Sequence, residues 1–348
     1  MSSRLPRITF GIIVLNGHPF TRYCLRSLYP FAHEIIVVEG GSEGANSMTT
    51  PDAHSIDGTL EVLHRFREDE DPEGKVQVVT RNGFWPLKDE LGRDRTLQSR
   101  AYAELATGDY LWQVDIDEFY RDADMRAVLD MLADEPSITA VSFPEIAFWG
   151  DIRYVVDYWP RERHTCHRLF KWGPGYKYVT HEPPTVCDAA GRDLRELQWI
   201  TADTMAARGI HLFHYPLLFP WQVRQKIEVY REQTSAYSRI LEWAEKGYFR
   251  LETPFRVHYY SSFPSWLERY SGDHPAEVMH MMDDVHSGRV ATETRTTADI
   301  EAVLDSRWYR LCRPLVKALE YPYRAWVGTK MRVRLRTRLR ELMPGRTL

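Results

Sequence analysis

Short apolar runs alternate with helix-period stretches through the first third of the chain. Ile8–Leu15 (ITFGIIVL), Glu34–Glu39 (EIIVVE), Lys75–Thr80 (KVQVVT), Tyr110–Val114 and Ile138–Phe143 are β-branched or aromatic runs of strand length, the pattern of buried strands. Between them Thr21–Tyr29, Gly58–Arg67 and Thr96–Ala106 read as helices. A fourth helix follows, with Met125, Val128, Leu129 and Leu132 at the i, i+3, i+4, i+7 positions of one face. This βαβαβαβαβ order predicts an α/β fold, a mostly parallel sheet flanked by helices. In such sheets ligands bind beyond the carboxyl ends of the strands, so the residues after Leu15, Val38, Thr80 and Val114 are where chemistry is expected. From Glu145 to Pro220 the pattern is irregular, aromatic and rich in Pro and Gly. It then turns helical from Trp221 to Tyr248. The expected organisation is an α/β domain over 1–220 and a mostly helical extension over 221–348. Gly40–Ile56, rich in Ser, Thr, Gly and Asn, reads as a mobile loop.

Composition narrows the class. With 348 residues, 43% of them hydrophobic and 13% aromatic, the chain can bury a large core, which excludes a disordered protein. The cysteines, Cys24, Cys166, Cys187 and Cys312, are far apart with no CxxC spacing. They predict neither a disulfide framework nor a zinc knuckle, and a reducing cytoplasm is the expected setting. Met1–Arg7 lacks the apolar run of a signal peptide, and no stretch approaches the roughly 20 apolar residues of a membrane helix.

The net charge of −4 hides an asymmetry: Arg307–Leu348 holds 12 Lys/Arg against two Glu. Within it, Lys330–Leu342 (KMRVRLRTRLREL) places Met331, Leu335, Leu339 and Leu342 on one helical face among arginines. That is the composition of a helix lying on the inner, anionic face of a membrane, so peripheral contact is one expectation. The other is a helix packed on its own protein, or a basic end without structure. Nucleic acid is not expected, because no recognised nucleic-acid fold accompanies the charge.

The strongest chemical signal is Gln113-Val114-Asp115-Ile116-Asp117-Glu118-Phe119. In an extended chain Asp115 and Asp117 share a face. Like charges held that close repel, and a divalent cation relieves them. Oxygen ligands suit Mg²⁺ or Mn²⁺, either of which can bridge a diphosphate. The structural alternative is that these acids end the strand as turn formers or caps, as Asp122 and Asp124 are placed to do. Arg81, Lys88, Arg95 and Arg100 flank the third strand and the following helix. An arginine fork suits phosphate, though a solvated helix face explains any one of them equally well. Trp85 and Trp149 could stack on a sugar or simply fill core. His164-Thr165-Cys166-His167 has ligand types but no partner cluster, and reads as strand.

Five blocks in order add to this. They are Ile13-Val14-Leu15-Asn16; Ile35–Ser42; Gly108–Glu118; Arg168-Leu169-Phe170-Lys171 with Val179-Thr180-His181-Glu182; and His214-Tyr215 with Lys226 and Tyr230. Together they resemble family 2 glycosyltransferases, in particular the branch of lipopolysaccharide-core β-glucosyltransferases. The resemblance implies a GT-A fold, a nucleotide-diphosphate sugar donor (UDP-linked by default), a divalent metal (Mn²⁺ or Mg²⁺) and inversion at the anomeric carbon. It also implies an acceptor that is a glycan, a lipid-linked glycan or a small molecule. Carried over residue by residue, it makes Asp117 the direct metal ligand and His214 the second. Asp115 would contact the ribose, or the metal through water. Asn16, Glu39 and Arg100 would line the donor site, and Arg81 joins them by its place after the third strand. Glu182 would be the base that takes the acceptor proton, with Glu118 or Glu145 as rivals. His214 has a plainer reading as a packed histidine in an aromatic strand. Two departures stand out. Glu39 replaces the family's base-holding Asp, and the family's compact "GSTDGT" turn is split between Gly41–Gly44 and Asp57-Gly58-Thr59, which marks a possible lid. The competing classes are a catalytically degenerate scaffold and a nucleotidyltransferase. The latter expects a Gly-rich phosphate loop where Asn16-Gly17-His18-Pro19 stands.

Overall fold

The computed structural model describes residues 4–92, 95–159, 164–233, 237–258 and 263–323. Its parallel half contains β1 (Ile8–Val14), β2 (Glu34–Glu39), β3 (Val76–Val79) and β4 (Tyr110–Gln113), in the order β4-β1-β2-β3. All three pairings there are parallel. Helices α1 (Phe20–Leu28), α2 (Thr59–Asp69) and α3 (Thr96–Leu105) make the crossovers. The apolar runs became strands because both faces are covered: Ile8, Phe10, Ile12, Ile35, Ile36, Val37 and Val38 are all fully buried. The chain leaves β1 for β2 on one side and later adds β4 on the other. The carboxyl ends of β1 and β4 therefore flank a topological switch point, where open α/β sheets bind ligands.

The second half is mixed. After the short β5 (Glu118–Phe119) and α4 (Asp122–Asp134) come β6 (Ala140–Trp149), β7 (Tyr154–Tyr158) and β8 (Thr165–Lys171). The fifth strand expected from the sequence is β6, but it does not neighbour β4. Strand β8 lies between them and runs antiparallel to both. A small hairpin, β9 (Lys177–His181) and β10 (Pro184–Cys187), stands apart from the main sheet. Then β11 (Trp199–Ile200), α5 (Ala202–Ala207) and β12 (Leu212–Leu217) follow. Strand β12 pairs parallel with β6 and antiparallel with β5.

The segment after residue 220 is helical in α6 (Pro220–Gln233), α7 (Tyr237–Glu242), α8 (Ala276–His286), α9 (Ala298–Asp305) and α10 (Arg307–Ala318). It also returns a strand, β13 (Ser265–Arg269), which forms the edge of the main sheet against β7. Helix α8 packs on α1. The extension is thus built into the first domain's sheet and helix layer. Lys330–Leu342 lies outside the described residues.

Aromatic rings fill the core. Trp112 on β4 stacks on Phe143 of β6 with centroids 5.2 Å apart, and Phe148 stacks on Tyr215 of β12 at 4.4 Å. Each ring of this size contributes roughly 1.5–3 kcal/mol relative to an exposed one. A second cluster around Trp149, Tyr154, Trp266 and Tyr309 ties β6, β7 and β13 to α10. Trp149 is fully buried there, so it serves as core and not as a sugar platform. At Gly11 in β1, an added Cβ would lie 2.3 Å from the Tyr102 ring. The missing side chain is what lets α3 lie flat on the sheet.

Candidate active site

The residues of interest gather beyond the carboxyl ends of β1 and β4. Strand β4 ends at Gln113, and Asp115–Glu118 forms a turn closed by the Glu118 N–H donating to the Asp115 carbonyl at 2.9 Å. The two aspartates are therefore not alternate residues of an extended strand, as the sequence pattern implied, and each meets its own partners.

Asp115 accepts a hydrogen bond from Arg168 Nη2 at 2.7 Å. The same guanidinium nitrogen also bonds Glu118, which is fully buried. Burial alone would raise the Asp115 carboxyl. Arg168 outweighs it and holds Asp115 below the usual carboxylate range. At Glu118 burial wins, and its carboxyl is pushed up to about 7 despite the guanidinium. Strand β8 exists at this position because Leu169 and Phe170 are apolar and buried. Its antiparallel insertion between β4 and β6 carries Arg168 under the turn.

Asp117 faces a different group. Its Oδ1 lies 3.5 Å from His214 Nε2 on β12, and the other ring nitrogen, Nδ1, lies 2.5 Å from Glu145 Oε1 on β6. The pairing of β12 with both β5 and β6 sets this order, since His214 is in register with Glu118 on one side and Ala147 on the other. Burial would keep the ring neutral, but Asp117 and Glu145 outweigh it and push its pKa well above the ordinary histidine value. Gln222, near the start of α6, donates from Nε2 to Asp117 Oδ2 at 3.2 Å and to the Tyr215 carbonyl at 2.7 Å. One turn on, half-buried Lys226 also faces this cluster. Burial pushes its pKa down, against the pull of Asp117.

The sequence-predicted donor residues divide. Asn16 sits at the exit of β1 with φ of 54°, a left-handed conformation that asparagine tolerates. Its Nδ2 donates to the Met48 carbonyl at 2.8 Å and its Oδ1 accepts from Ile56 N at 2.8 Å. Glu39 is fully buried, accepting from Ser55 N at 2.7 Å and lying 2.7 Å from His54 Nδ1. Both carboxylate oxygens thus have partners inside the chain, and the longer side chain reaches the inserted loop. That loop is not the free segment its composition suggests. Gly41 N donates to the Ala53 carbonyl at 2.7 Å, and Trp85 N to the Gly41 carbonyl at 2.9 Å. Trp85 itself is buried, its indole nitrogen 3.3 Å from the Glu39 carbonyl.

Arg81 is exposed beyond β3, its guanidinium 5.3 Å from the centre of the Trp85 ring. Arg100 does not reach the acidic turn. It donates to the Tyr178 carbonyl at 3.2 Å, lies 3.5 Å from Asp89, and lines a groove of about 960 Å³ with Arg7, Asp109 and Trp172. That groove is at the amino ends of β1 and β4, the opposite edge of the sheet. Glu182 is exposed in the turn of the β9–β10 hairpin and makes no hydrogen bond or ion pair among the described residues. Its neighbour His181 is turned inward, 2.9 Å from Ser99 Oγ. Burial pushes the His181 ring down to about 4, against the opposing pull of Asp115.

Among the described residues, no group of three or more His, Cys, Asp or Glu stands ready to hold a metal ion alone. The donor set still fits one whose shell is completed by substrate. Asp117 and His214 present an oxygen and a nitrogen toward one another. The second ring nitrogen is committed to a carboxylate, the usual orientation device behind a metal-bound histidine. Mg²⁺ and Mn²⁺ commonly take one or two protein ligands and draw the rest from phosphate and water. Gln222 is the site residue that sequence reasoning missed. Nothing in PWQVRQK marks it, because its role depends on where α6 begins relative to β4.

No family model matches the chain, and no curated protein matches it. Among solved structures, the mannosyltransferase PcManGT from Pyrobaculum calidifontis, in complex with GDP-Man and Mn²⁺, is similar at 14% identity. It has a TM-score of 0.38 over 99% of this chain and 89% of that one. TarS 1–349 from S. aureus with UDP-GlcNAc is similar at 15% identity and a TM-score of 0.30, over 41% of this chain and 35% of that one. Glucosyl-3-phosphoglycerate synthase from Mycobacterium tuberculosis, with Mn²⁺, UDP and its product, is similar at 16% identity and a TM-score of 0.28, over 42% and 45%. In the larger TarS structure the match spans 22% of that chain.

Proposed function

We propose that this chain is a metal-assisted, inverting glycosyltransferase of GT-A type, resembling family 2, that uses a nucleotide-diphosphate sugar, UDP-linked by default. The observation that carries the reading is the Asp117–His214 pair, oriented by Glu145 and set beside Asp115 at the switch point of the sheet. A divalent ion held there would neutralise the charge that develops on a departing diphosphate. Asp115, fixed by Arg168, is placed for the ribose or a bound water. Lys226 adds positive charge on the same side. Glu182, exposed and uncommitted, is the base that removes the acceptor hydroxyl's proton, and a single displacement inverts the anomeric carbon. Glu118 and Glu145 are poorer bases, since Arg168 and His214 already occupy them. The acceptor is a glycan, a lipid-linked glycan or a small molecule. Lys330–Leu342 is the segment read as touching the cytoplasmic membrane face.

The test is binding and hydrolysis of a panel of UDP-, GDP- and dTDP-sugars with Mn²⁺, Mg²⁺ or EDTA, for wild type and Asp117→Ala. Metal-dependent binding of one donor, lost in the variant, supports the reading. No binding of any nucleotide with either metal sinks it in favour of a degenerate scaffold.

A further inference from the structure

Helix α10 carries an apolar stripe that faces solvent. Trp308 is 56% exposed, Leu311 72%, Leu315 65% and Leu319, at the helix's C-cap, 57%. At 100° per residue these four side chains fall within about an 80° arc. Tyr321, just beyond, is 83% exposed. The opposite face is anchored to the protein. The Tyr309 hydroxyl donates to the Leu267 carbonyl at 3.1 Å and accepts from Leu267 N at 2.8 Å. Lys317 pairs with Glu268 and lies 3.7 Å from Asp157. The stripe is therefore presented outward by a docked helix and is not the loose side of a frayed one. Contiguous exposed apolar surface of this kind marks an interaction site.

Its surroundings decide the partner. Arg307 is exposed beside it, while Arg310, further round the helix, pairs with Asp305. The described residues end at Tyr323, directly after the stripe, and the 25 residues that follow hold eight Lys/Arg and one Glu. A second copy of the chain would bring this positive charge against itself. An anionic bilayer takes the same charge favourably, accepts leucines at the headgroup boundary and suits Trp and Tyr at its interface. We infer that the exposed face of α10 is a docking surface for an anionic lipid bilayer, with Trp308, Leu311, Leu315 and Leu319 entering the headgroup boundary.

The experiment is vesicle sedimentation of the full chain with phosphatidylcholine, alone or with phosphatidylglycerol, for wild type and the double variant Leu311→Glu/Leu315→Glu. Nucleotide binding and circular dichroism are measured on the same samples. Wild type should partition onto the anionic vesicles only, and the double variant should lose about tenfold or more of that partitioning, with fold and nucleotide binding intact. Equal partitioning of the double variant would overturn the inference, because the basic tail alone would then suffice. So would absence of wild-type binding to either vesicle, or a wild-type dimer that the double variant splits, which would make the stripe a self-interface. Loss of nucleotide binding in wild type would strike the transferase reading alone.

Discussion

His214 Nδ1 and the Glu145 carboxylate are 2.5 Å apart, which fixes the ring so that its other nitrogen points at Asp117. Carboxylates in this position raise ligand basicity and hold ring orientation, and their loss typically costs 10–100-fold in metal affinity. Glu145→Gln should therefore weaken Mn²⁺ binding in the presence of a nucleoside diphosphate by about 10–100-fold, read by calorimetry. Unchanged affinity would show that the pair serves the fold and not an ion.

Glu182 has no structural duty among the described residues, so its replacement separates chemistry from stability. Glu182→Gln should leave the melting temperature and donor binding as they are and lower kcat by about 10²–10⁴. A fall in kcat smaller than tenfold would move the proton-accepting role to another carboxylate.

Arg168 is the countercharge of a fully buried Glu118. Without the guanidinium the Glu118 carboxyl rises further above about 7, so an unpaired buried charge, costing up to about 3–5 kcal/mol, forms only as the pH becomes alkaline. Arg168→Met should show a loss in urea denaturation that grows from pH 6 to pH 9, and Arg168→Met/Glu118→Gln should remove most of that growth. Equal stability of the two variants would mean that Arg168 acts on Asp115 alone.

His167, bonded to Ser142 Oγ at 2.6 Å, is pushed down to about 4 by burial and by Arg195. Its unfolded value is near 6.5, so between those limits the unfolded chain binds the extra proton. The stability contributed by His167 is present above pH 6.5 and is lost as pH falls toward 4. Wild type should lose more of its urea midpoint across that window than His167→Asn. Parallel profiles would remove His167 as a source of acid sensitivity.

Gly11→Ala tests the packing that carries α3. The new methyl meets the Tyr102 ring at 2.3 Å, and overpacking of this kind costs about 1–3 kcal/mol. A melting temperature equal to wild type would mean that the helix shifts freely on the sheet.

Much of the α/β half was legible because its strands are continuous apolar runs, buried on both faces, and its helices have clear stripes. Asp115, Asp117, His214 and Glu145 were legible as residue types at plausible positions. What could not be read was pairing. Strand β8 carries polar and charged residues at His167, Arg168 and Lys171, and nothing local says that it enters the sheet between β4 and β6. Glu39 and Asn16 are donor-site residues by the family resemblance, which says nothing of their partners within the chain. Their hydrogen bonds to the inserted loop 41–58 depend on how the insertion folds back. The strand β13 lies after four helical or irregular segments and has no alternation that distinguishes it.

The pairing of β12 with both β5 and β6 has a consequence during synthesis. Asp115, Asp117, Glu118 and Glu145 leave the ribosome well before His214, and Gln222 lies 105 residues beyond Asp117. A nascent chain stopped short of β12 holds a crowd of carboxylates with Arg168 as the nearby cation that arrives in time. The arrival of β12 and α6 joins β5 to β6 and balances that charge in the same event. The site is thus completed while the edge strand β13 is still to be added against β7.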